Sequence, residues 1–224
     1  MAASPVTAPN EAVVATYDRF AALYDWLVSP LAAGTRDRAL DGLRLDRGDR
    51  ALEVGCGPGH ALVGLADRVG PAGHVVGLDA APGMLGRAER RVARAGIDAG
   101  VTLVLGDARS LPLGDGVADA ALLEDTLELF GPDDRDAVLG ELRRVLAADG
   151  RLAVLTMERA GAERTSFVRA YDWVFDNVPG ANRVGCRPIY ARRALEAAGF
   201  AVEERASLRR AGVWPVELLV ARPA

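Results

Sequence analysis

The sequence predicts an α/β fold in which helices cover both faces of a seven-stranded, mainly parallel sheet. Short apolar runs alternate with helical segments between residues 51 and 156, and this alternation is typical of βαβ units. The last two apolar runs lie only a hairpin apart, so we expect them to pair antiparallel. A glycine-rich loop between the first strand and the next helix suits a nucleotide-like ligand.

Periodicity and the residues that end each run define the individual elements. The strands are predicted at 51–54, 74–79, 101–105, 117–123, 151–156, 201–208 and 216–220. The helices are predicted at 11–31 (with a break near Ser29-Pro30), 34–45, 60–69, 82–95, 133–146, 165–177 and 189–198. Glycine ends several of them, for example at Gly70 and Gly96.

Length and composition predict one domain at 11–224, preceded by a disordered tail at 1–10. Residues 11–46 supply the helices of an N-terminal cap. The net charge of −4 argues against a nucleic-acid partner. Every basic residue is arginine, which we attribute to codon bias and which weakens any inference from a single arginine.

The two cysteines, Cys56 and Cys186, are too few for a disulfide framework and lack the spacing of a metal site. Residues 1–10 have neither the basic nor the apolar region of a secretory signal. No apolar run approaches the ~18 residues of a membrane span. We therefore expect a cytoplasmic protein without a membrane span and without a metal site.

The stretch 50–59, RALEVGCGPG, is the centre of the predicted site. Its first half is a buried strand, and Gly55 and Gly57 then open a tight loop that ends where a helix begins, at about His60. Glycine lets the backbone pass close to a ligand, because no Cβ is in the way. The first N–H groups of the helix are free to face the same ligand.

Carboxylates follow other predicted strands, at the sheet edge where the carboxyl ends of parallel strands meet: Asp79, Asp107 and Glu124. Asp79 ends the second strand, where an acidic residue can accept hydrogen bonds from both hydroxyls of a ribose. Asp107 can accept from an exocyclic amine such as that of adenine. The apolar neighbours Met84 and Ala108 can flank a flat base.

Two kinds of adenosine ligand compete for this site. A dinucleotide loop, G-x-G-x-x-G, needs a small third residue, whereas His60 follows the glycines here. The loop also lacks the Lys-Ser/Thr ending of a phosphate-binding P-loop. Glu53, at the end of the strand, would disfavour a pyrophosphate and would suit a positive charge such as a sulfonium or an ammonium group.

With these features the chain resembles the class I S-adenosylmethionine-dependent methyltransferases. LEVGCGPG matches the first motif of that family, VVGLDAAPGML the second, LGDARSLPL the third and DGVADAALLEDTLELF the fourth. The resemblance extends over residues 16–222. Within the family, YDRFAALYDW and CRPIYARRALEAAGF are most similar to the menaquinone and ubiquinone C-methyltransferases and related small-molecule enzymes.

The resemblance implies a Rossmann-like fold, S-adenosylmethionine as cofactor, and methyl transfer to a small apolar or aromatic acceptor at carbon or oxygen. It implies a set of residues that bind the cofactor: Tyr17, Glu53, Gly55, Gly57, Asp79, Ala80, Met84, Asp107, Ala108 and Glu124. The two glycines would lie beside the methionine part, Asp79 at the ribose and Asp107 at the adenine. The alternative for the Glu124 side chain is a cap on the next turn.

A base is needed if the acceptor loses a proton on methylation. His60 and Tyr17 are the candidates, and their alternatives are a solvent-facing or capping histidine and a tyrosine that packs its helix. The resemblance also places a lid-like insertion at 157–188. Tyr171 and Trp173 in that insertion either cover a flat substrate or pack the inserted helix.

Other functions stay open from the sequence. The chain could be a cofactor-binding module without methyl transfer, a methyltransferase for protein or RNA, or a nicotinamide oxidoreductase. The Asn-Pro-Pro-Tyr type motif of nucleic-acid amine methylases does not follow the fourth strand. A homodimer is a possible assembly. Four arginines on the 82–95 helix are interpreted as a solvated face: Arg87, Arg90, Arg91 and Arg94.

Overall fold

The computed structural model describes residues 29–97, 99–162, 165–178 and 186–224, together with Ala15. The predicted tail, Tyr17 with most of the first predicted helix, and parts of the predicted lid lie outside the described residues. The strands are β1 Arg50–Val54, β2 His74–Asp79, β3 Gly100–Leu105, β4 Ala118–Glu124, β5 Leu146–Met157, β6 Phe200–Arg210 and β7 Trp214–Pro223. The helices are α1 Ser29–Gly42, α2 His60–Val69, α3 Pro82–Ala95, α4 Pro132–Val145, α5 Ser166–Asn177 and α6 Ala191–Ala197, and a 3-10 turn spans Leu127–Leu129.

The seven strands form one sheet in the order β3-β2-β1-β4-β5-β7-β6. Strands β1 to β5 pair in parallel, and β7 pairs antiparallel with both β5 and β6. This arrangement confirms the predicted parallel sheet with an antiparallel C-terminal hairpin. The strand order reverses between β1 and β4, and in such sheets ligands bind outside the carboxyl ends of the strands at that reversal.

Apolar side chains alternate between two cores, one on each face of the sheet. Leu52 of β1 points into one core, and its neighbour Ala51 points into the other. Helices α4 and α6 pack on the first core, and α1, α2 and α3 pack on the second. The central parallel strands β1, β4 and β5 are therefore buried on both faces, which explains why they read as continuous apolar runs, whereas the edge strand β3 has no buried residue. Helices on both faces were predicted, and this is confirmed.

Helices α2 and α3 and strand β2 begin and end at the predicted residues. Their ends carry strong local signals. Gly59 and Gly70 flank α2 with φ of +82° and +66°, values that favour glycine. Pro82 opens α3, where its missing N–H would have had no helical partner.

The boundaries of the other elements differ from the prediction by one to five residues. Helix α1 begins at Ser29 rather than at residue 34, and Pro30 is tolerated in its first turn. Strand β5 begins at Leu146, which pairs with Ala118 across a register shift. Helix α6 begins at Ala191 because the N–H of Ile189 donates to the Met157 carbonyl, which draws this residue into an extended bridge. Among the described helices, none is both long and apolar enough to traverse a bilayer.

Candidate functional site

The glycine loop is fixed at the ends of β1 and β2. The N–H groups of Gly55 and Cys56 donate to the Leu78 carbonyl at 2.8 and 3.0 Å. Gly55 has φ of +74°, and a Cβ there would come within 2.3 Å of Thr126 Oγ1, so this turn requires glycine. At Gly57, with φ of +50°, a Cβ would meet no atom of the described residues within 4 Å. The loop therefore packs tightly on one side and leaves open space on the other.

Asp79 links this loop to the start of α3. Its Oδ2 accepts the N–H of Gly57 at 2.7 Å, and its Oδ1 accepts the N–H of Ala81 at 2.8 Å. Burial raises the pKa of the Asp79 carboxyl, and the N–H groups of Ala81, Gly57 and Ala80 oppose that rise. Each oxygen retains a further lone pair. The carboxylate is thus oriented by the backbone and can still accept hydrogen bonds from two adjacent hydroxyls.

Asp107 lies at the neighbouring strand end, because the N–H of Gly106 donates to the Asp79 carbonyl at 3.0 Å. Arg109 donates to Asp107, with Nη2 2.6 Å from Oδ2, and also to Asp134 at 2.9 Å. These hydrogen bonds from the Arg109 guanidinium lower the pKa of the Asp107 carboxyl, so it is ionised at neutral pH. Ala108, next in sequence, is buried.

A small cavity opens at the carboxyl ends of β1 and β4. It is lined by residues of α1, β1, the glycine loop, the start of α2 and the end of β4: Ala32, Arg36, Glu53, Gly55, Cys56, Gly57, Pro58, His60, Ala61 and Glu124. Glu53 is only 2% exposed, and its Oε2 has no hydrogen-bond partner among the described residues. A buried carboxylate oxygen without a partner is costly unless a ligand supplies one.

The cavity brings together charges of both signs. Burial raises the pKa of the Glu53 carboxyl well above its usual range, the Glu124 carboxylate adds to the rise, and the Arg36 guanidinium opposes it. Arg36 Nε donates to Glu124 Oε2 at 2.7 Å. Arg210, from the end of β6, lies 3.5 Å from Glu124 Oε1 and donates to Asp125. The Glu124 side chain therefore forms ion pairs with arginines from two distant elements and does not cap the following turn.

Burial raises the pKa of the Glu124 carboxyl as well, and Arg36 opposes this rise.

Met84 is buried in the first turn of α3, and Ala80 is half-buried between Asp79 and that helix. The structure therefore places nine of the ten predicted cofactor residues within one row of strand ends and adjoining turns. Tyr17 lies outside the described residues.

The residues considered for a base and a lid are also placed. His60 is half-buried at the start of α2 and lines the cavity that contains Glu53. The Tyr171 hydroxyl donates to the Cys186 carbonyl at 3.0 Å, and its ring stacks with those of Phe167 and Phe175 in the same helix, α5. Trp173, in contrast, is 62% exposed. Tyr171 therefore packs within α5 and against the segment that contains Cys186.

Sequence reasoning missed Arg36, Arg210 and Glu128. Glu128 is fully buried, its Oε2 accepts the Thr156 hydroxyl at 2.7 Å, and its Oε1 accepts the N–H of Met157 at 3.3 Å. Burial, with the nearby charge of Asp125, raises its pKa to about 7. In the sequence these residues lie among many other arginines and glutamates, and no local pattern distinguishes them. No cluster of three or more metal-binding side chains occurs within the described part of the chain.

Comparison with known proteins identifies the class to which this fold and site belong. The strand order, with an antiparallel hairpin after five parallel strands, is that of Rossmann-like methyltransferases. The 1,6-didemethyltoxoflavin-N1-methyltransferase from Burkholderia thailandensis, solved with that compound and S-adenosylhomocysteine, has this fold. It superposes with a TM-score of 0.70 and 20% identity over 99% of this chain and 94% of its own, a likeness of fold.

Sequence comparison gives the family. The family described as "Methyltransferase domain" matches residues 51–150. Demethylmenaquinone methyltransferase from Lactobacillus johnsonii is 33% identical over 66% of this chain, an alignment that covers only 61% of the relative's own length. The 2-phytyl-1,4-naphtoquinone methyltransferase from Trichormus variabilis is 31% identical over 79% of this chain and 78% of its own. The chain belongs to the class I S-adenosylmethionine-dependent methyltransferases, and S-adenosylmethionine is the cofactor of that family.

Proposed function

We propose that this chain transfers the methyl group of S-adenosylmethionine to a small, apolar or aromatic acceptor, at carbon or oxygen. The observation that carries the proposal is the charge arrangement at the end of β1. There Glu53 is buried, its Oε2 has no hydrogen-bond partner in the described part of the chain, and Arg36 lines the same cavity. The methionine part of the cofactor has an ammonium, a sulfonium and a carboxylate group, so it presents both signs of charge to a cavity that contains both.

In this proposal Glu53 and Glu124 interact with the positive groups of the methionine part, and Arg36 interacts with its carboxylate. Gly55 and Gly57 hold the backbone open beside it, as the free space at Gly57 suggests. An ammonium group near Glu53 would offset the cost of burying that carboxylate in its ionised form. With the methionine part beside Glu53 and Glu124, at the ends of β1 and β4, the direction of the cofactor along the strand ends is fixed.

The adenosine part extends, in the proposal, toward β2 and β3. Asp79 accepts the ribose hydroxyls and Asp107 accepts the adenine amine, while Ala80, Met84 and Ala108 lie against the base. The two backbone hydrogen bonds to Asp79 support this role, because they fix the carboxylate before a ligand arrives. Tyr17 stays a predicted contact.

When bound, the cofactor supplies an electrophilic methyl group that is transferred by in-line displacement. The chain then needs to align the acceptor and to exclude water, and these two effects contribute more to the rate than covalent assistance does. A hydroxyl or activated ring carbon releases a proton, and we propose His60 as the group that accepts it, with Tyr17 as the alternative. The position of His60 in the lining beside Glu53 supports this choice.

An aromatic acceptor is supported by the relatives, whose names specify demethylmenaquinone and a phytylated naphthoquinone. We further propose a single domain at 11–224 with an inserted lid at 157–188 and a cytoplasmic location. The net charge of −4 supports a small molecule rather than nucleic acid as the partner. A homodimer stays a prediction.

The test is calorimetric titration with S-adenosylmethionine, S-adenosylhomocysteine and NADH, followed by an acceptor screen that begins with naphthoquinols and measures S-adenosylhomocysteine release. We expect micromolar binding of both adenosyl ligands, none of NADH, and turnover with an aromatic acceptor. Glu53→Gln should weaken S-adenosylmethionine binding about tenfold or more, because it removes a charge-assisted hydrogen bond. Exposed Glu196→Gln is the matched control.

Each other outcome has a definite meaning. Binding without turnover on small molecules, protein or RNA would identify a cofactor-binding module. Turnover on RNA or protein alone would overturn the choice of acceptor. Failure to bind either adenosyl ligand would refute the proposed function.

A further inference from the structure

We propose that Asp125 and Trp214 select the acceptor through two hydrogen bonds, one received by Asp125 Oδ1 and one donated by Trp214 Nε1. This inference rests on the proposed methyl transfer and specifies the polar groups that its acceptor carries. Both atoms are buried, and neither has a hydrogen-bond partner among the residues that the structure describes. Leaving a buried donor or acceptor unpaired is costly. A bound molecule that pairs with both atoms is therefore favoured.

Arg210 brings these two residues together at one end of the sheet. Its Nη1 donates to the other carboxylate oxygen of Asp125, Oδ2, and its Nε donates to the Thr35 hydroxyl of α1 at 3.0 Å. Arg210 and Trp214 stand directly opposite each other in the pairing of β6 with β7. Side chains at opposite positions of an antiparallel pair lie on the same face, roughly 5 Å apart. The two unpartnered atoms therefore belong to residues that adjoin the same buried arginine.

Asp125 is fixed beside the cavity proposed for the methionine part of the cofactor. It follows Glu124, which lines that cavity at the end of β4. The N–H of Asp125 donates to the Leu155 carbonyl of β5 at 2.8 Å, and its φ is +52°, a value that few residues other than glycine adopt. Its side chain is only 11% exposed. A group held by Asp125 Oδ1 would therefore lie next to the part of the cofactor that carries the methyl group.

Trp214 adds an aromatic surface and a donor to this end of the sheet. Its ring lies 5.8 Å from that of Phe167 in α5, and Phe167 in turn stacks with Tyr171 at 5.7 Å. A carboxylate accepts hydrogen bonds, whereas an indole nitrogen only donates one. A flat acceptor that satisfies both residues carries a hydroxyl for Asp125 and a second oxygen for Trp214. The two residues would thus distinguish acceptors that differ in a single hydroxyl or a single oxygen.

The experiment compares three probes by calorimetry, with and without S-adenosylhomocysteine, which has no methyl group to transfer. The probe 4-methoxy-1-naphthol offers a hydroxyl and a second oxygen, 1,4-dimethoxynaphthalene lacks the hydroxyl, and 1-naphthol lacks the second oxygen.

Two variants remove the proposed hydrogen bonds one at a time. Asp125→Asn tolerates the positive φ, and its one carbonyl oxygen is needed by Arg210, so its amide can only donate to the acceptor. Trp214→Phe keeps an aromatic ring beside Phe167 and removes the N–H. The matched control for the aspartate is the exposed Asp133→Asn in the first turn of α4.

We expect the wild-type chain to bind 4-methoxy-1-naphthol about tenfold or more tightly than 1,4-dimethoxynaphthalene, because the latter leaves Asp125 Oδ1 unpaired. Asp125→Asn should abolish that preference, and Asp133→Asn should retain it. Trp214→Phe should bind 4-methoxy-1-naphthol no more tightly than 1-naphthol, while its affinity for 1-naphthol stays that of the wild type.

The inference is overturned if the wild type binds none of the probes or binds the two methoxy compounds equally. It is also overturned if Asp125→Asn weakens all three probes by the same factor, since a purely structural role would do that. Failure to bind S-adenosylhomocysteine would refute the proposed function instead, and the ratio of probe affinities without it would still decide this inference.

Discussion

The buried Glu128 should make the stability of this protein depend on pH in a defined window. Its carboxyl is fully buried, and burial raises its pKa from 4.5 to about 7. The folded protein therefore holds a proton there that the unfolded chain releases near its ordinary pKa. Because the folded state binds more protons between these two values, the free energy of unfolding falls as pH rises from about 4.5 to about 7, and the loss levels off above.

The magnitude follows from the pKa difference of about 2.5, at about 1.4 kcal/mol per unit, which gives a loss of about 3 kcal/mol. Glu128→Gln should remove this loss. A glutamine has nearly the same shape as the protonated acid, and its carbonyl can accept the Met157 N–H while its amide faces the Thr156 hydroxyl. The variant should gain about 2.5 kcal/mol relative to the wild type between pH 5 and pH 8, because part of the loss already occurs below pH 5.

The assay is urea unfolding of both proteins at pH 5, 6, 7 and 8, with the difference in unfolding free energy plotted against pH. Other groups that titrate cancel in that difference if they do not contact residue 128. Exposed Glu89→Gln is the control, and its difference from the wild type should stay flat. A flat difference for Glu128→Gln would refute the assignment of a near-neutral pKa to this residue.

Three further changes test the site and its supports. Asp79→Ala removes the carboxylate that orients the glycine loop and that, in the proposal, binds the ribose. The affinity for S-adenosylmethionine, measured by calorimetry, should therefore fall about tenfold to a hundredfold. An unchanged affinity would exclude the ribose role. Gly57→Ala should lower the free energy of unfolding by about 1–2 kcal/mol, because its φ is unfavourable for alanine. Gly55→Ala should lower it by more, because the new methyl group would also clash with Thr126. Equal losses in urea unfolding would contradict the packing argument. Thr165 caps α5, because its hydroxyl oxygen accepts the N–H of Val168. In thermal unfolding, Thr165→Ala should lower the free energy of unfolding by about 1 kcal/mol, and Thr165→Ser should lower it little. Indistinguishable variants would exclude the cap.

The elements that were predicted most accurately are those whose ends are encoded locally. Helix α2 lies between two glycines with positive φ, and α3 opens on a proline, so their limits follow from backbone conformations that few residues adopt. Helix α6 was predicted two residues too early, because the decisive contact of Ile189 is with Met157, a strand residue far away in the sequence. Local patterns contain no information on such a partner.

The sequence by itself determined the sheet, its glycine loop and the meeting of Asp79, Asp107 and Glu124. Apolar runs of strand length alternate with helices, and parallel strands bring their carboxyl ends, with whatever follows them, to one edge. Only the tertiary structure decided what surrounds those carboxylates. The ion pair of Arg36 with Glu124 joins residues 88 positions apart, and Glu128 differs from other glutamates only through complete burial. Burial and long-range pairing depend on how all the elements pack, and they set the charges with which the site meets its ligand.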